Sequence, residues 1–298
     1  MAINLPKIIY GTAWKKEATK DLVVTAVLQG FTAIDTGKQF FLLKLSLCQN
    51  LWLMNCPACQ PKHYREDLVG KALEELYDKH GKKREDLWLQ TKFTSIIGQD
   101  RSKPLPYDPS LSISEQVRAS FQTSLRNLHT SYLDSYILHS PLPTRDDTLA
   151  AWNVLNSLKE QGKVHMIGVS NAYQVSIIEL LDAEHKVEVV QNRWYQENDW
   201  DKDVVKYCKE HGVMYQSFWT LTGSPSLLKD RTILKIAETL QCTPAQVIFR
   251  LAQLNGATPL AGSKNPTHMK DGVTVEKINL DQFLSDPKME ELQKLLFK

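Results

Sequence analysis

Four residues that end short apolar runs carry side chains able to do chemistry. Asp35 closes Thr-Ala-Ile-Asp, Lys92 closes Leu-Gln-Thr-Lys, His139 closes Tyr-Ile-Leu-His, and Asn171 follows Gly-Val-Ser. A carboxylate, an ammonium and an imidazole brought to one place can move a proton and steady a developing charge. Taken singly, each has a plainer reading: a strand-end Asp caps a helix, a Lys extends to solvent along its stem, and a rim His is satisfied locally. Whether the fold brings them together decides between the two.

The elements that must position them are readable from hydrophobic period. Short apolar or β-branched runs at 7–10, 31–35, 87–92, 133–138, 166–169, 187–191, 213–217 and 258–261 alternate with helical patterns from end to end. Val69, Leu73 and Leu76 recur at helical spacing, and Ser112 precedes Glu115 by three residues as in a capping box. Eight strands, each with a right-handed crossover, fit a closed α/β (β/α)8 TIM barrel better than an open sheet, because closure removes both edges. A doubly wound sheet is the alternative, yet no GxGxxG follows any expected strand. In a barrel, function sits at the C-terminal strand ends, where these four residues lie.

Composition narrows the function. The chain has 298 residues, 36 Lys and Arg against 34 Asp and Glu, and the basic residues are scattered, so the footprint of a nucleic-acid binder is missing. No run reaches the ~18 apolar residues of a membrane span. Five cysteines are too sparse for a disulfide scaffold, so reduced thiols and a cytoplasmic location are expected. Metal-ligand clusters, paired catalytic carboxylates and a nucleophile elbow are not apparent.

In order along the chain, Gly11-Thr12-Ala13-Trp14, Gly30 to Thr36, Tyr64 with Val69-Gly70, Thr91-Lys92, Leu138-His139, Gly168-Val169-Ser170-Asn171, Gln191 and Gly262-Ser263 resemble the aldo-keto reductase family. The resemblance covers nearly the whole chain and implies a fungal-type, NADP-dependent (β/α)8 oxidoreductase that reduces a small-molecule aldehyde or ketone. It implies a catalytic tetrad of Asp35, Tyr64, Lys92 and His139. It also places Gly11 and Thr12 near the cofactor, Ser170, Asn171 and Gln191 on the nicotinamide carboxamide, Phe218 on the ring, and the loop with Leu221 and Gly223 on the pyrophosphate. Trp14 and Trp219 become substrate walls. The family's Lys-Ser and later Arg at the adenosine 2′-phosphate stand here as Gly262-Ser263 and His268, with Lys264 a substitute cation. NADP(H) is therefore expected, with NAD(H) possible. Physically, carbonyl reduction needs a proton donor and donors to hold the oxyanion, and Lys92, held by Asp35, is expected to pull the Tyr64 phenol down. A catalytically silent nucleotide-binding or interaction protein is the second reading. Oligomeric state and substrate identity are not legible.

Residues 37–57 do not match their surroundings: of 21 residues, twelve are apolar and none is acidic. Five residues beyond Asp35, where many family members place the Tyr, stands Phe40, which cannot donate a proton. Excising the segment rejoins Asp35-Thr36 to Ala58, restoring the family's Asp-Thr-Ala and bringing Tyr64 within loop reach of Asp35. The segment is read as a retained intron or equivalent gene-model error within a single barrel spanning 1–298. A lid or docking loop is the competing reading. Its Cys56-Pro57-Ala58-Cys59 is read as a fortuitous CxxC. The expected mature transcript joins Thr36 to Ala58, and sequencing it against genomic DNA decides: a dominant transcript encoding all 21 residues sinks the intron reading.

Overall fold

The computed structural model describes residues 5–37, 64–99 and 104–297. Eight parallel strands close on themselves: β1 (Ile9–Gly11), β2 (Ala33–Asp35), β3 (Trp88–Phe93), β4 (Leu133–Leu138), β5 (Val164–Ser170), β6 (Val189–Arg193), β7 (Met214–Phe218) and β8 (Ala257–Ala261). Closure is made by β1 pairing with β8, Ile9 opposite Leu260 and Tyr10 opposite Ala261, which overturns the doubly wound alternative. Each expected run became a strand, with ends moved by up to two residues. The second is shorter than the apolar run because Phe31 N donates to Ala26 O and so finishes the preceding helix. Residues 38–63, with Phe40, Cys56 and Cys59 and all but the first residue of the segment read as an insertion, lie outside the described residues.

Helices α1 (Thr19–Leu28), α2 (Glu66–His80), α3 (Ile113–Asn127), α4 (Arg145–Glu160), α5 (Val175–Glu184) and α6 (Lys202–His211) form the first six crossovers. The seventh departs from one helix per strand, using α7 (Arg231–Thr239) and α8 (Pro244–Leu254). After β8 come α9 (Pro266–Val273) and α10 (Pro287–Phe297). The Ser112 capping box is present, with Ser112 N donating to Glu115 Oε2 at 3.0 Å. Val69, Leu73 and Leu76 are fully buried on one face of α2, as their spacing requires. Among the described residues no helix is long and apolar enough to cross a membrane, and Cys208 and Cys242 are unbridged.

Strand alternation divides two apolar layers. Tyr10, Ile34, Leu89, Tyr136, Ile167, Val190 and Tyr215 point outward under the helices. Ile9, Ala33, Trp88, Ile137, Met166, Val189, Met214 and Leu260 point inward and plug the barrel. At the inward positions one step nearer the C-terminal ends stand five buried polar residues, Asp35, Gln90, His139, Gln191 and Gln216, and no large apolar one. That change of character inside the barrel sets up the site above the apolar plug.

Gly70 lets α2 lie against the end of α3: a Cβ there would sit 1.8 Å from Asn127 O and 2.8 Å from His129 Cδ2. Backbone cannot yield that much, so Gly70→Ala is expected to destabilise the barrel by about 1–3 kcal/mol. Urea unfolding checks this, and a variant with an unchanged midpoint would refute the close packing.

Candidate active site

A cavity of about 600 Å³ opens at the C-terminal ends of the strands. From the first half of the barrel, Gly11, Trp14, Asp35 and Tyr64 line it. From the second half come Gln191, Phe218, Trp219 and Leu221, with Ser263 and Lys264 after β8. His268 lines a smaller adjoining hollow of about 150 Å³ with Ser263. Lys92, His139 and Ser170 lie behind the wall, each no more than 2% exposed. The fold therefore gathers Asp35, Lys92, His139 and Tyr64 from four places along the chain.

At its centre is a buried ion pair. Lys92 Nζ donates to Asp35 Oδ1 at 2.5 Å and Oδ2 at 2.7 Å, and to Thr36 O at 2.9 Å. The three N–H bonds of the ammonium are thereby used, and its effect on Tyr64 is one of field: Nζ stands 5.1 Å from the phenol ring centroid. The Tyr64 ring meets the His139 ring edge-on, centroids 5.9 Å apart. Gly37 permits this placement, since a Cβ there would lie 3.3 Å from Tyr64 Cδ2. His139 Nδ1 lies 2.8 Å from Thr94 Oγ1, which fixes the turn of the imidazole. The Thr94 carbonyl in turn accepts from Tyr107 Oη at 2.7 Å and Gln99 Nε2 at 2.9 Å.

One electrostatic expectation is corrected. Burial first, and the Asp35 charge second, hold the Tyr64 phenol well above its ordinary value. Burial and the Asp35 carboxylate outweigh the pull of the Lys92 ammonium that this carboxylate grips. Burial likewise draws Lys92 below the usual ammonium range, opposed by Asp35.

Several expected contact residues hold the site from behind. Thr12 is fully buried, and both its N and its Oγ1 donate to Asp35 O, each at 3.0 Å. Asn171 Nδ2 donates to His139 O at 2.8 Å and Ser170 Oγ at 3.2 Å, while its Oδ1 accepts from Tyr173 Oη at 3.1 Å. Gly223 lets its loop pass Tyr195, whose Cβ would be 2.6 Å from an added Cβ. Trp14, Asn171 and Trp219 adopt left-handed backbone, with φ of 66°, 57° and 62°. Three such non-glycine residues at the ends of β1, β5 and β7 cost energy that the surrounding contacts must meet. At Trp219 the Arg193 guanidinium lies 3.7 Å over the ring.

The sequence reading missed Gln90, Gln216, Thr94 and Lys15. The two glutamines were signalled only as polar residues inside apolar strands, two positions before Lys92 and Phe218. Lys15 is 5% exposed, lines the cavity, and donates to Gly262 O. Burial and the nearby Lys264 charge lower it to about 8. Together Lys15 and Lys264 make that end of the cavity cationic and suited to an anion.

Residues 7–283 match the sequence model of the Aldo/keto reductase family. The glyoxal reductase of Bacillus subtilis is 30% identical over 233 residues, covering 77% of this chain and 74% of that protein. An aldo/keto reductase structure from Brucella melitensis superposes with a TM-score of 0.72 at 24% identity, over 98% of this chain and 95% of that one. A mutant of Gox0644 in complex with NADPH superposes with a TM-score of 0.71 at 23% identity, over 98% and 89%. At these identities the two structures speak to the fold.

Lys15 also makes a stability prediction. Its folded value of about 8 lies below the 10.5 of an ordinary lysine. Between those pH values the unfolded chain binds more protons, so this group makes stability rise with pH. Relative to Lys15→Met, the wild type is expected to gain roughly 1–3 kcal/mol between pH 8 and 10.5. Parallel denaturant titrations with no relative gain would refute the depressed ammonium.

Proposed function

This chain belongs to the aldo/keto reductase family, and we propose that it reduces an aldehyde or ketone to an alcohol, with NADPH as hydride source and Tyr64 as general acid. The observation that carries the reading is the Tyr64 phenol at the cavity wall, packed against the Lys92–Asp35 pair and edge-on to His139.

The residues present fit the dinucleotide. Gln191 offers an amide to a carboxamide, Phe218 an aromatic face to a flat ring, and Lys15, Lys264 and Ser263 a cationic, hydrogen-bonding end to phosphates. His268 borders the adjoining hollow. The cationic pair Lys15 and Lys264 supports NADPH over NADH, with NADH an acceptable donor in this reading. Bound there, the reduced nicotinamide supplies the hydride.

The chain's own groups handle the oxygen. As negative charge develops on the carbonyl oxygen, Tyr64 gives its proton; burial keeps that proton in place at neutral pH until the oxygen becomes basic enough to take it. The Lys92 ammonium then steadies the phenolate that forms. In the tautomer in which Thr94 Oγ1 donates to Nδ1, His139 carries its proton on Nε2 and serves as a second donor to the oxygen. Trp14, Phe218 and Trp219 give the carbonyl compound an apolar surround.

Tyr64→Phe is expected to lower kcat by about 10²–10⁴-fold for NADPH-dependent reduction of small aldehydes, with the Kd for NADPH held within about threefold because only a hydroxyl is lost. The comparison is made in the full chain and in one lacking residues 37–57. If both wild-type forms fold, bind NADPH and turn over no carbonyl compound, the reductase reading fails.

A further inference from the structure

Three glutamine side chains are enclosed in the barrel: Gln90 and Gln216 are 0% exposed and Gln191 2%. Burying an amide is costly unless its N–H and carbonyl groups are used. Strand register supplies the partners. Asp35 pairs with Gln90 across β2 and β3, Gln191 pairs with Gln216 across β6 and β7, and barrel closure brings the two pairs together.

Chemistry decides which end of each amide points where. The Asp35 carboxylate accepts, so the atoms facing Oδ1 are the nitrogens of Gln90, at 2.8 Å, and Gln191, at 3.0 Å. Each of these NH2 groups has a second hydrogen, and Gln216 Oε1 accepts both, at 2.7 Å from Gln90 and 2.9 Å from Gln191. Gln216 Nε2 donates back to Gln90 Oε1 at 3.0 Å and approaches Met214 Sδ at 3.6 Å. Turning any one amide over would set donor against donor or oxygen against oxygen. The orientation of all three therefore follows from the carboxylate that holds Lys92. Gln90 is used at both ends. Gln191 is not: both its hydrogens point inward, and it lines the cavity, so it presents its carbonyl oxygen there.

We propose that Gln90 and Gln216 are positioning residues that lock Gln191 with its carbonyl toward the cavity, so that the site selects a bound ring carrying an N–H donor over one of equal shape without it. The inference rests on the nicotinamide dinucleotide reading above. A carboxamide then gains a hydrogen bond that a methyl ketone in its place cannot make. Without Gln216, the Gln191 amide loses one of its two inward acceptors and can turn over.

The test compares Kd values of NADP+ and its 3-acetylpyridine analogue, which has a methyl ketone for the carboxamide, by quenching of tryptophan fluorescence. Full-length wild type, Gln216→Met and Gln90→Met are measured, each with its thermal midpoint. The wild type is expected to prefer NADP+ by roughly five- to tenfold, the size of one hydrogen bond. In a folded variant the ratio is expected to fall towards one. A purely structural role would weaken both dinucleotides alike and leave the ratio intact. Folded variants that keep the wild-type ratio within twofold overturn the inference while the cofactor reading stands. A folded wild type that binds neither dinucleotide overturns both. If neither variant folds, the wild-type ratio decides: equal affinities overturn the inference, and preference for the carboxamide supports it.

Discussion

An ammonium and a carboxylate, both about 1% exposed, face each other inside the barrel, and much of the site exists to make that tolerable. Removing two charges from water costs several kcal/mol per ion, and their attraction offsets this only if the remaining hydrogen-bonding capacity is met. Here it is met from every side. Lys92 spends its third N–H on Thr36 O, Asp35 Oδ1 takes two amides besides the ammonium, and Thr12 pins the Asp35 backbone. Breaking such a pair from one side would strand a charge, typically at a cost of about 3–5 kcal/mol. The pair is thus a constraint on strand register as much as a chemical device.

The same constraint shapes the chemistry open to Tyr64. An isolated buried ammonium would exert a strong field on the phenol, but one gripped by a carboxylate acts more as a dipole. Tyr64 consequently keeps its proton, which suits a group that gives the proton only on demand. At the other end of the cavity the balance is reversed. Lys15 is buried beside Lys264, and burial with like charge lowers it to about 8. One half of the site has its charges matched within the chain, and the other holds positive charge for an anion from outside.

Around this centre, the loops store strain. Trp14, Asn171 and Trp219 hold left-handed backbone at three strand ends. Two of them are secured differently: the Asn171 amide is bonded at both ends, and Trp219 is covered by the Arg193 guanidinium and meets Tyr195 edge-on. Such positions persist where neighbours over-determine them, and they cluster here at the cavity mouth.

What the sequence determined by itself is the order and type of the elements, the closed barrel as their best arrangement, and the strand ends at which Asp35, Lys92 and His139 stand. Those follow from local period, and period is a near-neighbour property. Tyr64 was legible only through resemblance to a family, because residues 37–57 separate it from Asp35. The tertiary structure alone decided the hydrogen-bond partners. Gln90 and Gln216 are 126 positions apart, and Gln191 and Asp35 are 156 apart. In the chain they are only polar residues interrupting apolar runs, and their meaning appears once closure points them at the same carboxylate oxygen. The Tyr64 phenol was misjudged for the same reason: types and spacing announce a nearby ammonium, but how deeply both groups are buried, and that the Asp35 carboxylate stands beside them, depend on the packed three-dimensional surroundings.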